Sequence, residues 1–151
     1  MLIQTKCFGE VDIADEKILN FPSGILGFEE LKRFTLIFDI KRNGEKSKIA
    51  WLQCVDEPEL ALPVMNPFDV KDDYDPMLNE SLLDKLGNVN ADNVVILLVV
   101  NVPSDVSKAT ANLKAPIVIN SDNCLGAQII AENKEYIIKY PIFKNNEKGE
   151  M

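Results

Sequence analysis

Short apolar stretches, each closed by a proline, a glycine or an acidic turn, recur along this chain. The clearest begins at Phe34. Phe34, Leu36, Phe38 and Ile40 alternate with Thr35, Ile37, Asp39 and Lys41, the period of two that marks a strand with one buried face. Asn43-Gly44 follows, a dipeptide suited to a tight hairpin turn, and Ile49 to Val55 returns as the partner strand. Leu2 to Ile13 reads as two short strands around Gly9, and Lys17 to Phe21 as an extended stretch stopped by Pro22. Leu60 to Met65 is a further strand, pushed toward a sheet edge by Pro63, which has no N–H to donate. Val94 to Val102 is apolar on both parities and so is expected to be covered on both faces. Ala115 to Asn120 is another strand, and Ala127–Ala131 is expected to pair with Tyr136–Tyr140 across Asn133-Lys134.

One helix stands out. Asp75-Pro76 can cap and start it, Leu78, Leu82, Leu83 and Leu86 share one face, and Gly87 suits the left-handed position that ends it. The expected fold is therefore mainly all-β: a small antiparallel β-barrel or sandwich of about nine or ten short strands with one lid helix. Residues 1–143 read as a single domain, and residues 144–151, KNNEKGEM, as a frayed polar tail.

Composition narrows the function. The chain has no histidine, which removes the commonest general base and every Ser-His or Cys-His nucleophile. Cys7, Cys54 and Cys124 lie far apart, with no Cys-x-x-Cys pair, and read as reduced thiols packed as small apolar groups. With 24 acidic and 16 basic residues the net charge is −8. That balance opposes direct binding to RNA or DNA and favours attraction of a basic partner. The longest apolar run, Val94 to Val100, falls far short of the about 20 residues that a membrane helix needs, and the N-terminus lacks a secretory pattern. The expected location is the cytoplasm, with no membrane contact and no cofactor.

Phe21-Pro-Ser-Gly-Ile-Leu-Gly-Phe-Glu29 admits two readings. Phosphate loops place glycines between a strand and a long helix, usually with a lysine. Here no lysine follows and Glu29-Glu30 would repel an anion. As a stiff corner the stretch makes sense, with Gly24 and Gly27 free to take positive φ. Ile25, Leu26 and Phe28 then either plug the end of the barrel or stay exposed for a partner.

This segment resembles the F-x-x-G-I-P-G-F-E motif of the flagellar assembly factor FliW family. Two further blocks carry the same resemblance: Trp51-Leu-Gln-Cys-Val-Asp-Glu-Pro-Glu-Leu-Ala-Leu62 with Asn66-Pro67-Phe68, and Thr110-Ala-Asn-Leu-Lys-Ala-Pro-Ile-Val-Ile-Asn120. It spans Met1 to about Phe143, with Leu26 where the family commonly has proline and Cys54 where it has serine. The resemblance implies a protein that is not an enzyme but a cytoplasmic switch between two partners. One is CsrA, an RNA-binding repressor of flagellin translation, met beside its RNA surface rather than on it. The other is flagellin.

The candidate contact residues are acidic or apolar. Asp72, Asp73 and Asp75 flank Tyr74, an aromatic of the kind enriched at binding hot spots. Asp56, Glu57 and Glu59 form a second acidic turn, and Ile25 and Phe28 mark the corner. The plainer alternative for the first group is a solvated loop or a helix cap at Asp75. The competing function is a small enzyme using Asp72, Asp73 or Asp75 with a divalent metal. Their spacing lacks the glycine and the terminal glutamate of a calcium loop.

Overall fold

The computed structural model describes residues 1–40 and 46–143. Eleven strands lie among them: β1 (Leu2–Thr5), β2 (Gly9–Asp12), β3 (Leu19–Asn20), β4 (Arg33–Ile40), β5 (Lys46–Cys54), β6 (Ala61–Met65), β7 (Val94–Asn101), β8 (Thr110–Ala111), β9 (Ile117–Asn120), β10 (Leu125–Gln128) and β11 (Tyr140–Pro141). Two small α-helices, α1 (Pro67–Val70) and α2 (Glu80–Asp84), and two 3-10 turns, Asp15–Lys17 and Val106–Lys108, complete the set. The fold is mainly β and forms a closed barrel, in agreement with the sequence expectation.

The ring runs β7-β6-β5-β4-β3-β10-β9 and closes because β9 pairs back onto β7. Every neighbour pair is antiparallel except β3 with β10, a parallel seam registered at Asn20 and Leu125 alone. β8 and β11 extend the sheet beyond the end of β7, and β1 with β2 forms a separate hairpin. β4 and β5 pair from Phe34 with Cys54 onward, as their alternation required. The Asn43-Gly44 turn and the tail 144–151 fall outside the described residues.

β7 is covered on both faces. Val95, Leu97 and Val99 pack against the barrel interior around Phe21, Phe34, Leu52 and Ile117. Ile96, Leu98 and Val100 belong to a second cluster with Tyr74, Leu113 and Tyr136. Pro63 sits where its missing N–H costs least: β6 pairs with β5 along its whole length, but β7 joins only at Val64 and Met65.

Two expectations fail. The helix from Asp75 shrinks to α2, capped by Asn79, whose Oδ1 accepts from the amides of Ser81 (2.9 Å) and Leu82 (3.3 Å). Asp75 cannot start a helix because tertiary bonds hold its backbone; Leu78, Leu83 and Leu86 do pack in one cluster, and the Gly87 stop, at φ +91°, is as expected. The hairpin between Ala127–Ala131 and Tyr136–Tyr140 does not form either. β10 pairs with β9, and the chain after it is diverted to Lys114, whose carbonyl accepts the Ala131 amide at 2.7 Å.

Candidate functional site

Asn66 caps α1 by accepting from the Phe68 amide at 2.9 Å, and the chain then turns into the acidic loop. Asp72 and Asp75 are exposed there. Asp73 is held by Lys71, and that bond keeps its carboxyl below the usual range while raising the Lys71 ammonium. Tyr74 is a correction to the sequence reading. It is a core residue, 4% exposed, rather than an exposed anchor. Its hydroxyl donates to the Leu113 carbonyl at 2.8 Å, and burial pushes the phenol far above its ordinary pKa. Charges on either side made the segment look wet, but the ring has a place in the second cluster.

The loop backbone is riveted from a distance. The Asp75 amide donates to the Tyr136 hydroxyl (2.7 Å) and the Met77 amide to Asn133 Oδ1 (2.6 Å), while Asn133 Nδ2 donates to the Asp75 carbonyl (3.0 Å). Asn133 and Tyr136 are buried. Sequence reasoning missed both, because nothing local to either residue points to a partner so far along the chain.

The second acidic turn is built differently. Asp56 accepts from Arg33 twice, from Nε at 3.1 Å and Nη2 at 2.5 Å, and this pairing holds its carboxyl below the usual range. Glu57 and Glu59 are exposed. Beneath the turn lies Gln53, 1% exposed. Its Nε2 faces the carbonyls of Cys54, Pro58 and Leu60, and its Oε1 accepts from the Lys6 amide at 3.0 Å. One buried amide thus satisfies the turn and pins the N-terminal hairpin.

At the corner, the plug reading holds for Ile25, which is 2% exposed and packs in the barrel interior; offered as an exposed contact, it is corrected. Phe28 is half-buried, and its amide closes a tight turn onto the Ile25 carbonyl. Gly24 takes φ +69°, and a Cβ there would lie 2.5 Å from the Glu29 carbonyl oxygen, so no side chain fits. The apolar tip left outside is Leu26, whose amide donates to Gln128 Oε1 at 3.0 Å. It borders a cleft of about 410 Å³ shared with Leu82 and Lys85.

The structure does not gather these candidates into one patch. β4 starts beside the end of β5, so the corner and the Asp56–Glu59 turn share one end of the barrel. β6 runs away from that end, and the Asp72–Asp75 loop beyond it packs instead on the second cluster, against Leu113 and Tyr136. Among the described residues no three Asp, Glu or Cys side chains converge to hold a metal ion. No helix among them is long and apolar enough to cross a membrane.

A small closed barrel bearing two separate acidic turns is the class of protein that these observations define. The FliW protein family model matches residues 2–142. Flagellar assembly factor FliW of Lachnospira eligens is 45% identical over 151 residues, spanning 99% of each chain. That of Lachnoclostridium phytofermentans is 44% identical over 99% of this chain and 97% of its own. A crystal structure of the flagellar assembly factor FliW superposes with a TM-score of 0.85 at 32% identity, covering 95% of this chain and 98% of that one. The chain belongs to the FliW family of flagellar assembly factors.

Proposed function

We propose that this chain is a cytoplasmic partner switch: it binds the translational repressor CsrA, relieves repression of the flagellin message, and is held alternatively by flagellin. It acts by contact and not by catalysis, and it needs no cofactor. The observation that carries this reading is family membership across residues 2–142. The charge of the chain supports it independently. Asp72, Asp75, Glu57 and Glu59 are exposed carboxylates on a protein of net charge −8, suited to steering toward a basic RNA-binding partner without competing for its RNA.

The test is a binding measurement with purified CsrA and flagellin as separate analytes, followed by competition between them. Saturable binding of both, with flagellin displacing CsrA, is expected. The chain alone should not retard flagellin leader RNA at physiological salt. A specific RNA shift in the absence of CsrA would count against the switch.

A further inference from the structure

Four large apolar side chains lie outside the core where the acidic loop meets the chain beyond β10. Met77, Ile130, Ile137 and Ile138 are each between 49% and 62% exposed. Single exposed apolar residues are ordinary; four on two joined segments are not. The join is specific. Besides the bonds from Asp75 and Met77 to Tyr136 and Asn133, the Glu132 amide donates to the Met77 carbonyl at 2.8 Å. The Leu113 amide likewise fixes the Ile137 carbonyl at 3.0 Å. The second segment is therefore held in place by its backbone and buried neighbours while its isoleucines face outward.

The charges around these residues lean one way. Asp72, Asp75, Glu132 and Glu135 are exposed on the same two segments, against the exposed lysines Lys134 and Lys139. Lys71 is engaged with Asp73, and Lys114 Nζ donates to the Asn133 carbonyl at 3.0 Å. An apolar patch bordered by carboxylates rejects a phosphate backbone and suits an apolar surface edged with cations.

We propose that Met77 and the Ile130–Ile138 segment form a docking surface for a protein segment that presents apolar side chains between lysines or arginines. The inference rests on the partner reading above and says where that contact lies: on the face where the acidic loop is bonded to the chain beyond β10.

The experiment uses the full chain over immobilised CsrA, with flagellin as a second analyte. Met77→Gln and Ile138→Gln are each expected to raise Kd for CsrA about tenfold, mainly through faster dissociation. Melting temperature should not change, since both side chains are exposed. Leu2→Gln, an exposed change on the separate N-terminal hairpin, should bind like wild type. If wild type binds CsrA and the Met77 and Ile138 variants bind equally well, the docking surface is wrong while the partner reading stands. Loss confined to flagellin overturns the assignment to a cation-edged partner. A wild-type chain that does not bind CsrA brings down the partner reading itself, and this inference with it.

Discussion

The ring of Tyr74 lies stacked on that of Tyr136, 4.8 Å between centroids and 18° from parallel. The acidic loop is thereby fastened to the core through its one aromatic residue. Tyr74→Ala removes the stack, the buried ring and the bond to Leu113, and is expected to destabilise the fold by about 3–5 kcal/mol, the range for truncating a large core aromatic. Tyr74→Phe keeps the ring and strands the Leu113 carbonyl, at a cost of about 1–2 kcal/mol. Urea unfolding checks both; an alanine variant as stable as wild type would show that the loop is not anchored this way.

Charge steering should belong to Asp72 and Asp75, since Asp73 is occupied by Lys71. The double change to asparagine is expected to slow association with CsrA and flatten its salt dependence, with dissociation little altered. Surface plasmon resonance at two salt concentrations separates the two effects. Equal on-rates for wild type and variant would make the loop a solvated face.

Asn112 and Asn120 should matter for stability. Asn112 Oδ1 accepts from the amides of Lys114 (2.9 Å) and Ala115 (3.0 Å). Asn120, 2% exposed, donates to the Leu86 carbonyl at 2.8 Å and accepts from the Asp122 amide at 2.9 Å. Alanine at either position is expected to cost about 1–3 kcal/mol through unsatisfied backbone groups. Asn120→Ala should fall toward the lower part of that range, because Asn123 Nδ2 also donates to the Leu86 carbonyl, at 2.9 Å. Denaturant midpoints at unchanged m-value give the comparison.

The Arg33–Asp56 pair predicts a weak acid dependence. Asp56 has a folded-state pKa below its unfolded value, so its contribution is present above about pH 4 and is lost as pH falls through the lower folded value. Both side chains are over 40% exposed, which limits the pair to about 1 kcal/mol or less. Asp56→Asn should remove that increment at pH 7 and slightly flatten the loss of stability below pH 4, as read by thermal melts across pH.

The barrel was legible wherever the signal is local. The period of two in Phe34–Ile40, the doubly apolar Val94–Val100 and the Gly87 stop all reappear, because each is decided by neighbours a few residues away. What was misread depends on contacts across the chain. Tyr74 looked exposed because its flanking charges are, while the ring that buries it comes from Tyr136. Asp75 looked like a helix cap, but Asn133 and Tyr136 claim its backbone. Ile137-Ile138 looked like the core of a strand, but β10, with which it was expected to pair, lies between β9 and β3. The corner was half legible: its glycines announce a tight turn, but whether Ile25 faces in or out is settled only by the interior it enters.

The parallel seam of the barrel has a kinetic meaning. β3 and β10 meet at Asn20 and Leu125, supported by the Asn20 amide on the Cys124 carbonyl at 2.8 Å. Their positions lie more than a hundred residues apart in sequence, whereas β4, β5 and β6 follow one another directly along the chain. Loop-closure entropy therefore opposes the seam most and rewards it with the fewest bonds. The meander can assemble early as an open sheet, and the ring is completed last, when the first strand of the barrel finally finds the tenth.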